Sequence, residues 1–281
     1  MKIRYKGETC VSLTAWKVYD VISVEDTYFR IVDETGEDYL FAPDLFDVVN
    51  ENGTHRFTEQ FVAFCEKNLD LTDSLNYGYN SLTVCLIDCV YSLRAKYYNV
   101  TLPIVDRYAA AYMSGDRLKN GDTVSMLLQR MDELGGPTAF ADKILKNHQK
   151  LGGKNNIPKE QVCYQLAKYL SLLHIETIED FQTFESQELL EIVIRAVRGL
   201  GDAGVNYLFM LAGDPNRCKP DVHIHHCIRD ACGADVSNDE CQQLFADAVA
   251  VLRAQHPGLT VRMLDGIIWK KYENAQHKNR S

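Results

Sequence analysis

The sequence predicts a mainly α protein in which a small β-barrel, residues 1–53, precedes an all-α domain, residues 54–281. Three observations carry this. Apolar and polar residues alternate through much of the first fifty positions, the period of a half-buried strand. From Phe57 onward apolar residues recur at three and four positions, the period of a helix face. Glycine and proline gather at the breaks between such stretches, at Gly115, Gly121, Gly135-Gly136-Pro137, Gly152-Gly153 and Pro257-Gly258.

Taken in order, "TAWKVYDVISVED" (14–26) and "TYFRIVDETGEDYLFAPDLFDVV" (27–49) read as strands, with Asp33-Glu34-Thr35-Gly36 as a tight turn. Short strands joined by tight turns over this length suggest an SH3-like barrel, with "APDLFDVV" as its short turn and closing strand. "NENGTH" (50–55) is a polar linker. Phe57, Phe61, Val62, Phe64 and Cys65 fit one face of the first helix. Leu82 to Leu93 is apolar nearly all round, so that helix is expected at the centre of the core. Its one charge, Asp88, reads as a hydrogen-bonded core carboxylate. Further helices are expected to begin near Pro103, Asp122, Thr138, Pro158, Ser186, Asp202, Ser237 and Thr260, about ten in all. No strand pattern of comparable quality follows residue 54.

Composition narrows the function. The 281 residues are 46% hydrophobic and carry a formal charge of -9, which argues against a generic nucleic-acid binder. The charge is uneven. Residues 1–53 hold five basic and eleven acidic side chains, so the barrel is the acidic part. Local basic groups lie elsewhere, at Lys143, Lys146, Lys150, Lys154 and Lys159, and at Lys270, Lys271, Lys278 and Arg280. The apolar run at 82–93 is too short to span a bilayer. "MKIRYKGETC" lacks the apolar stretch of a secretory signal. Nine cysteines without paired spacing fit free thiols in a reducing cytoplasm.

The stretch "VRGLGDAGVNYLFMLAGDPNRCKPDVHIHHC" (197–227) carries the chemistry. Leu189, Leu190, Ile192, Val193 and Val197 are the apolar positions of one helix. Gly199-Leu200-Gly201 is a turn, and Asp202 is the expected N-cap of a second helix whose Val205, Leu208, Phe209 and Leu211 face the core. A tight glycine turn at a helix N-terminus leaves backbone N–H groups available to a phosphate. The turn, the helix Asp202 to Leu211 and Pro220-Asp221-Val222-His223-Ile224-His225 together resemble the helix-hairpin-helix DNA glycosylases of the endonuclease III superfamily. That family has L-P-G-V-G, a helix, a short loop and V-D-T-H-I-x-R. The resemblance covers roughly residues 55–275, with "VCLIDCVYSLRAKYYNV" as the buried helix and following turn and "MLDGIIWKKY" as the closing helix.

The resemblance implies a helix-hairpin-helix glycosylase-like all-α domain and a set of roles. Asp221 is the catalytic carboxylate, stabilising the sugar cation that develops as an N-glycosidic bond breaks. Gly199, Leu200, Gly201 and Ala203 contact the DNA backbone. Ala203 stands where bifunctional members carry a Schiff-base lysine, so the implied enzyme is monofunctional and leaves an abasic site; Lys219 is the nearest amine in sequence. Arg94, two residues after Ser92, and Lys96, with Tyr97 and Tyr98 beside them, are placed to fill the gap left by an extruded nucleotide. Cys218, Cys227, Cys232 and Cys241 do not have the family's iron–sulfur spacing, and no cofactor is expected. His223, His225 and His226 with Cys218 and Cys227 form the rival reading, a metal site, but only two of the histidines share a helix face, and no metal is expected.

The expected function is therefore excision of a modified or mismatched base from double-stranded DNA, in repair or in defence against modified foreign DNA. The alternative is a non-catalytic hairpin that grips DNA or a protein. The acidic barrel is expected to meet a protein partner rather than DNA, and no membrane is expected.

Overall fold

The computed structural model describes residues 1–72, 78–151 and 156–278, with side chains through residue 273. Gly152-Gly153, Lys154, Arg280 and the Lys278 side chain lie outside that description. The protein is mainly α, with a small antiparallel sheet at its N-terminus. It divides into two compact units. Met1–Asp73 and Val222–Ser281 form one, and Ser74–Asp221 forms the other. The change from strand to helix near residue 53 and the division into units are thus different boundaries.

In the first unit, strands β1 (Lys2–Tyr5), β2 (Val18–Glu25), β3 (Tyr28–Val32), β4 (Asp38–Phe41) and β5 (Phe46–Val49) form one sheet in the order β4-β3-β2-β1-β5. Every pairing is antiparallel. The alternation works as expected on β3, where Phe29 and Ile31 are buried and Tyr28 and Val32 are exposed. Gly36 takes φ +85° at the anticipated turn, and Asp33 accepts from the Thr35 backbone at 2.8 Å. A 3-10 turn at Pro43–Leu45 leads into β5. β1 sits between β2 and β5, with Ile3 and Tyr5 buried and Lys2 and Arg4 on its other face. Phe46 gathers Tyr5, Tyr19, Phe29 and Phe41 at centroid distances of 5.6 to 6.4 Å.

The same unit contains helices α1 (Thr58–Asn68), α10 (Val222–Cys232), α11 (Asn238–Leu252) and α12 (Val261–Lys278). Phe61 of α1 meets Phe245 of α11 at 5.2 Å. A capping box between Ser237 and Glu240 starts α11. Asp247 of α11 ties the sheet to these helices. Its Oδ2 accepts from the His55 amide at 2.6 Å and from Arg4 at 3.4 Å. Burial pushes the His55 pKa down, with the Arg56 charge adding to it.

In the second unit, α2 (Leu82–Ser92) is buried along its whole length. Around it pack α3 (Leu102–Tyr112), α4 (Val124–Glu133), α6 (Lys159–Leu172) and α9 (Asp202–Leu211), with α5 (Pro137–Phe140), α7 (Ile178–Thr183) and α8 (Gln187–Arg195) outside them. A helix begins near Asp122 as expected, though Asp122 itself lies just before it. Thr123 caps α4, and Asp122 instead accepts from Tyr108 at 2.5 Å and Arg130 at 2.6 Å. Two features went unread in the sequence. One is α7, started by a Thr177–Asp180 capping box. The other is a two-stranded ribbon, β6 (Lys150–Leu151) with β7 (Ile157–Pro158), too short to show a period. Among the described residues no helix is long and apolar enough to cross a membrane.

Replacing Asp247 with alanine strips one partly buried acceptor from both the His55 amide and Arg4. The expected loss is about 2–3 kcal/mol, read as a lower urea midpoint with an unchanged m value.

Candidate functional site

The hairpin is built by α8, the turn and α9. Helix α8 buries Leu190 and Ile194. Leu189 and Ile192, expected on its core face, are 46% and 58% exposed. The buried positions are four apart, so the stripe is narrower than the run of apolar residues suggests. The two turn glycines have different reasons to be there. Gly199 has φ +98°, and a Cβ on it would lie 2.7 Å from Leu151 Cδ1. The fold itself demands that glycine. Gly201 has φ -83° and is the cap residue of α9. A Cβ there would meet nothing within 4 Å.

Asp202 is therefore the first helical residue rather than the cap, and its carboxylate pairs with Arg195. Leu200 turns its side chain inward and packs over Gly204, where a Cβ would lie 2.9 Å from Leu200 Cδ1. Ala203 is half-buried. The Gly204 carbonyl receives the Cys89 thiol at 3.2 Å, so α9 and α2 touch through a residue that has no side chain.

Asp221 is half-buried and directly precedes α10. Its amide donates to the Lys219 carbonyl at 2.6 Å. The approach to it is pinned. Arg217 binds Glu191 at 2.6 Å and Asn206 at 3.0 Å and lies over the Phe209 ring. Cys218 and Pro220 are buried. Lys219 places its ammonium 3.7 Å from the Tyr207 ring centroid and 3.3 Å from Ser92 Oγ. The end of α2 and the segment before Asp221 thus meet. Just past Ser92, Arg94 holds a left-handed backbone at φ +53°, unusual for a residue with a side chain. Arg94, Lys96 and Tyr98 are exposed, while Tyr97 turns inward.

Tyr97 turns toward Asp88, where the structure shows most that sequence reasoning missed. Asp88 is fully buried in α2. Its Oδ2 accepts from Tyr79 at 2.6 Å and Tyr97 at 2.9 Å, and its Oδ1 accepts from Tyr207 at 2.9 Å. Burial pushes the Asp88 carboxyl up; the three hydroxyls and the Lys219 charge oppose that. Burial and the same carboxylate raise all three phenols. A charge inside an apolar helix was the available signal. Nothing in the sequence pointed Tyr79, Tyr97 or Tyr207 at Asp88 rather than any of the twelve other tyrosines.

One more amine lies close by. Lys159 opens α6 and is buried, and it donates to the Tyr91 carbonyl at 2.9 Å and to Gln149 at 3.1 Å. Burial, then the positive charge of Lys219, lowers its pKa to about 8.

The histidines take separate partners. His223 Nε2 lies 3.2 Å from Glu273, and its ring meets Trp269 edge-on. His225 bridges Asn238 at 3.2 Å and the Cys241 thiol at 3.8 Å. A thiol, imidazole and amide in line invite a nucleophilic reading, but Cys241 is fully buried and no acyl substrate reaches it. Among the described residues no three His, Cys, Asp or Glu side chains gather as a metal-binding set.

Residues 59–273 match the family described as "Domain of unknown function (DUF8548)", and the chain belongs to that family. Every residue of the hairpin, the Asp88 cluster and the Asp221 segment lies within the match, and the N-terminal sheet lies outside it. No curated protein matches the chain.

The lowered Lys159 pKa gives a signed pH effect. Between pH 8 and the ordinary lysine value of 10.5 the unfolded chain binds more protons at this site than the folded one. Folding stability from this group therefore rises with pH across that window. The stability of the wild type relative to Lys159→Met is expected to increase from pH 8 to 10 in paired urea unfolding curves.

Proposed function

We propose that this protein is a monofunctional DNA glycosylase that extrudes a modified or mismatched base and hydrolyses its N-glycosidic bond. The observation that carries the reading is Gly201. The fold does not need a glycine there, neither for φ nor for space. The amide groups of Gly201 and Ala203 donate to no acceptor among the described residues. A bare backbone at the start of a ten-residue helix suits the close approach of a phosphate. Twenty residues on, Asp221 supplies a carboxylate on a pinned segment. Such a group stabilises an oxocarbenium-like sugar and orients the attacking water. Arg94 and Lys96, exposed beyond Ser92, supply charge for the strand and a side chain for the vacated stack.

Two further observations support the details. Ala203 offers no amine, and the Lys219 ammonium is engaged by Tyr207 and Ser92, which favours hydrolysis over imine formation. The strand order of the N-terminal sheet and the 3-10 turn before its last strand suit an SH3-like barrel. Each of its five basic side chains is already in an ion pair: Lys2, Arg4, Lys6, Lys17 and Arg30. That leaves no spare cation for phosphates and favours a protein partner for this part of the chain.

A Gly201→Val variant should fold to within about 1 kcal/mol of the wild type yet bind duplex DNA roughly tenfold more weakly at fixed salt, whatever its sequence. Unchanged affinity would remove the hairpin as the DNA anchor.

Incubated with oligonucleotides bearing different modified bases, the wild type should release a free base and leave a strand that breaks only after alkali. Asp221→Asn should slow that step on the order of 10²-fold or more. Retention of DNA binding with no base release from any oligonucleotide would favour the non-catalytic alternative. A borohydride-trapped adduct would show that an amine acts.

A further inference from the structure

We infer that Asp88 is a positioning residue for Asp221, acting through Tyr207 and Lys219. The inference rests on the reading of Asp221 as the reacting carboxylate. It starts from a difficulty. A carboxylate inside a helix buried on all sides costs stability, and an apolar residue there would cost none. Three hydroxyls from three places in the chain converge on it: Tyr79 before α2, Tyr97 after it and Tyr207 on α9. They compensate the charge but do not explain why it is present.

The explanation lies one step outward. Asp88 Oδ1 holds the Tyr207 hydroxyl at 2.9 Å, which fixes the ring in the plane of that bond. A phenol donating to a carboxylate has a more electron-rich face, and the Lys219 ammonium lies over that face at 3.7 Å. Lys219 also reaches Ser92 Oγ, one helical turn beyond Asp88 on α2. Its carbonyl accepts the Asp221 amide at 2.6 Å. A rigid helix therefore reaches the backbone of Asp221 through one hydrogen bond, one ring face and one tight turn. The Asp88 carboxylate and the Lys219 ammonium also attract each other electrostatically. Arg217 and the buried Cys218 hold the preceding residues, and the Asp88 branch reaches the last step to Asp221 through Lys219.

Tyr207→Phe removes only the hydroxyl, and Lys219→Met removes the charge together with its hydrogen bond to Ser92; Lys219→Arg keeps a cation over the ring. The first readout is amide hydrogen exchange in the full-length chain. Exchange at the Lys219 and Asp221 amides should quicken about tenfold or more in Tyr207→Phe and Lys219→Met, while α2 and α9 keep their protection. Lys219→Arg should restore it. The second readout is single-turnover base release. The chemical rate should fall on the order of 10²-fold with DNA affinity unchanged, the signature of a misplaced group. Unchanged exchange at these two amides in both variants would overturn the inference. So would a loss of DNA affinity equal to the loss of rate. A wild type that releases no base refutes the glycosylase reading alone, and the exchange arm still decides whether the cluster holds this segment.

Discussion

A helix buried on every side can carry one charge only if the surrounding chain supplies its hydrogen bonds. That constraint organises the second unit. Asp88 requires three donors, and the three tyrosines that supply them fix the chain entering α2, the π-helical turn leaving it at Tyr97–Thr101 and the register of α9 against it. The helix contact is equally exacting. Cys85 and Cys89 send their thiols to the Leu211 and Gly204 carbonyls, and Leu200 fills the space a side chain at Gly204 would need. Packing and polar satisfaction select one arrangement where apolar packing alone would permit several.

The hairpin shows how two glycines three atoms of backbone apart answer to different masters. Gly199 is held by the protein's interior, through its left-handed φ and the ribbon pressed against it. Gly201 is held by nothing inside. The surface there is backbone rather than side chain. Under the proposed function, a phosphate bound there would be read by shape and charge instead of sequence.

The mainly α architecture and the N-terminal sheet were legible because their signals are periodic. Phe29 and Ile31 alternate with exposed neighbours, and Leu82 to Leu93 lacks a polar face. Short elements were not legible. β6 and β7 have two residues each, and α7 rests on a capping box rather than on a stripe. Position along the chain was read more easily than direction. The sequence located Asp221, Gly199 and Gly201 on a turn and a helix start, but it could not show that Gly201 faces open space. Nor could it show that Lys219 folds back on Tyr207, because neither residue carries a local pattern. Tyr207 lies 119 positions from Asp88, and separation of that kind leaves no trace in a local pattern.

The two units also differ in how the chain can assemble them. Ser74–Asp221 is continuous, so its core can close as soon as that stretch has left the ribosome. The other unit is split. Its sheet forms from neighbouring hairpins, but Arg4 and Asp247 are 243 residues apart. Closing so distant a contact is entropically slow from an unfolded chain. Collapse of the intervening unit shortens the effective loop that this contact must close. Synthesis order therefore favours a sequence in which the middle folds first and the start of the chain waits for α10 to α12.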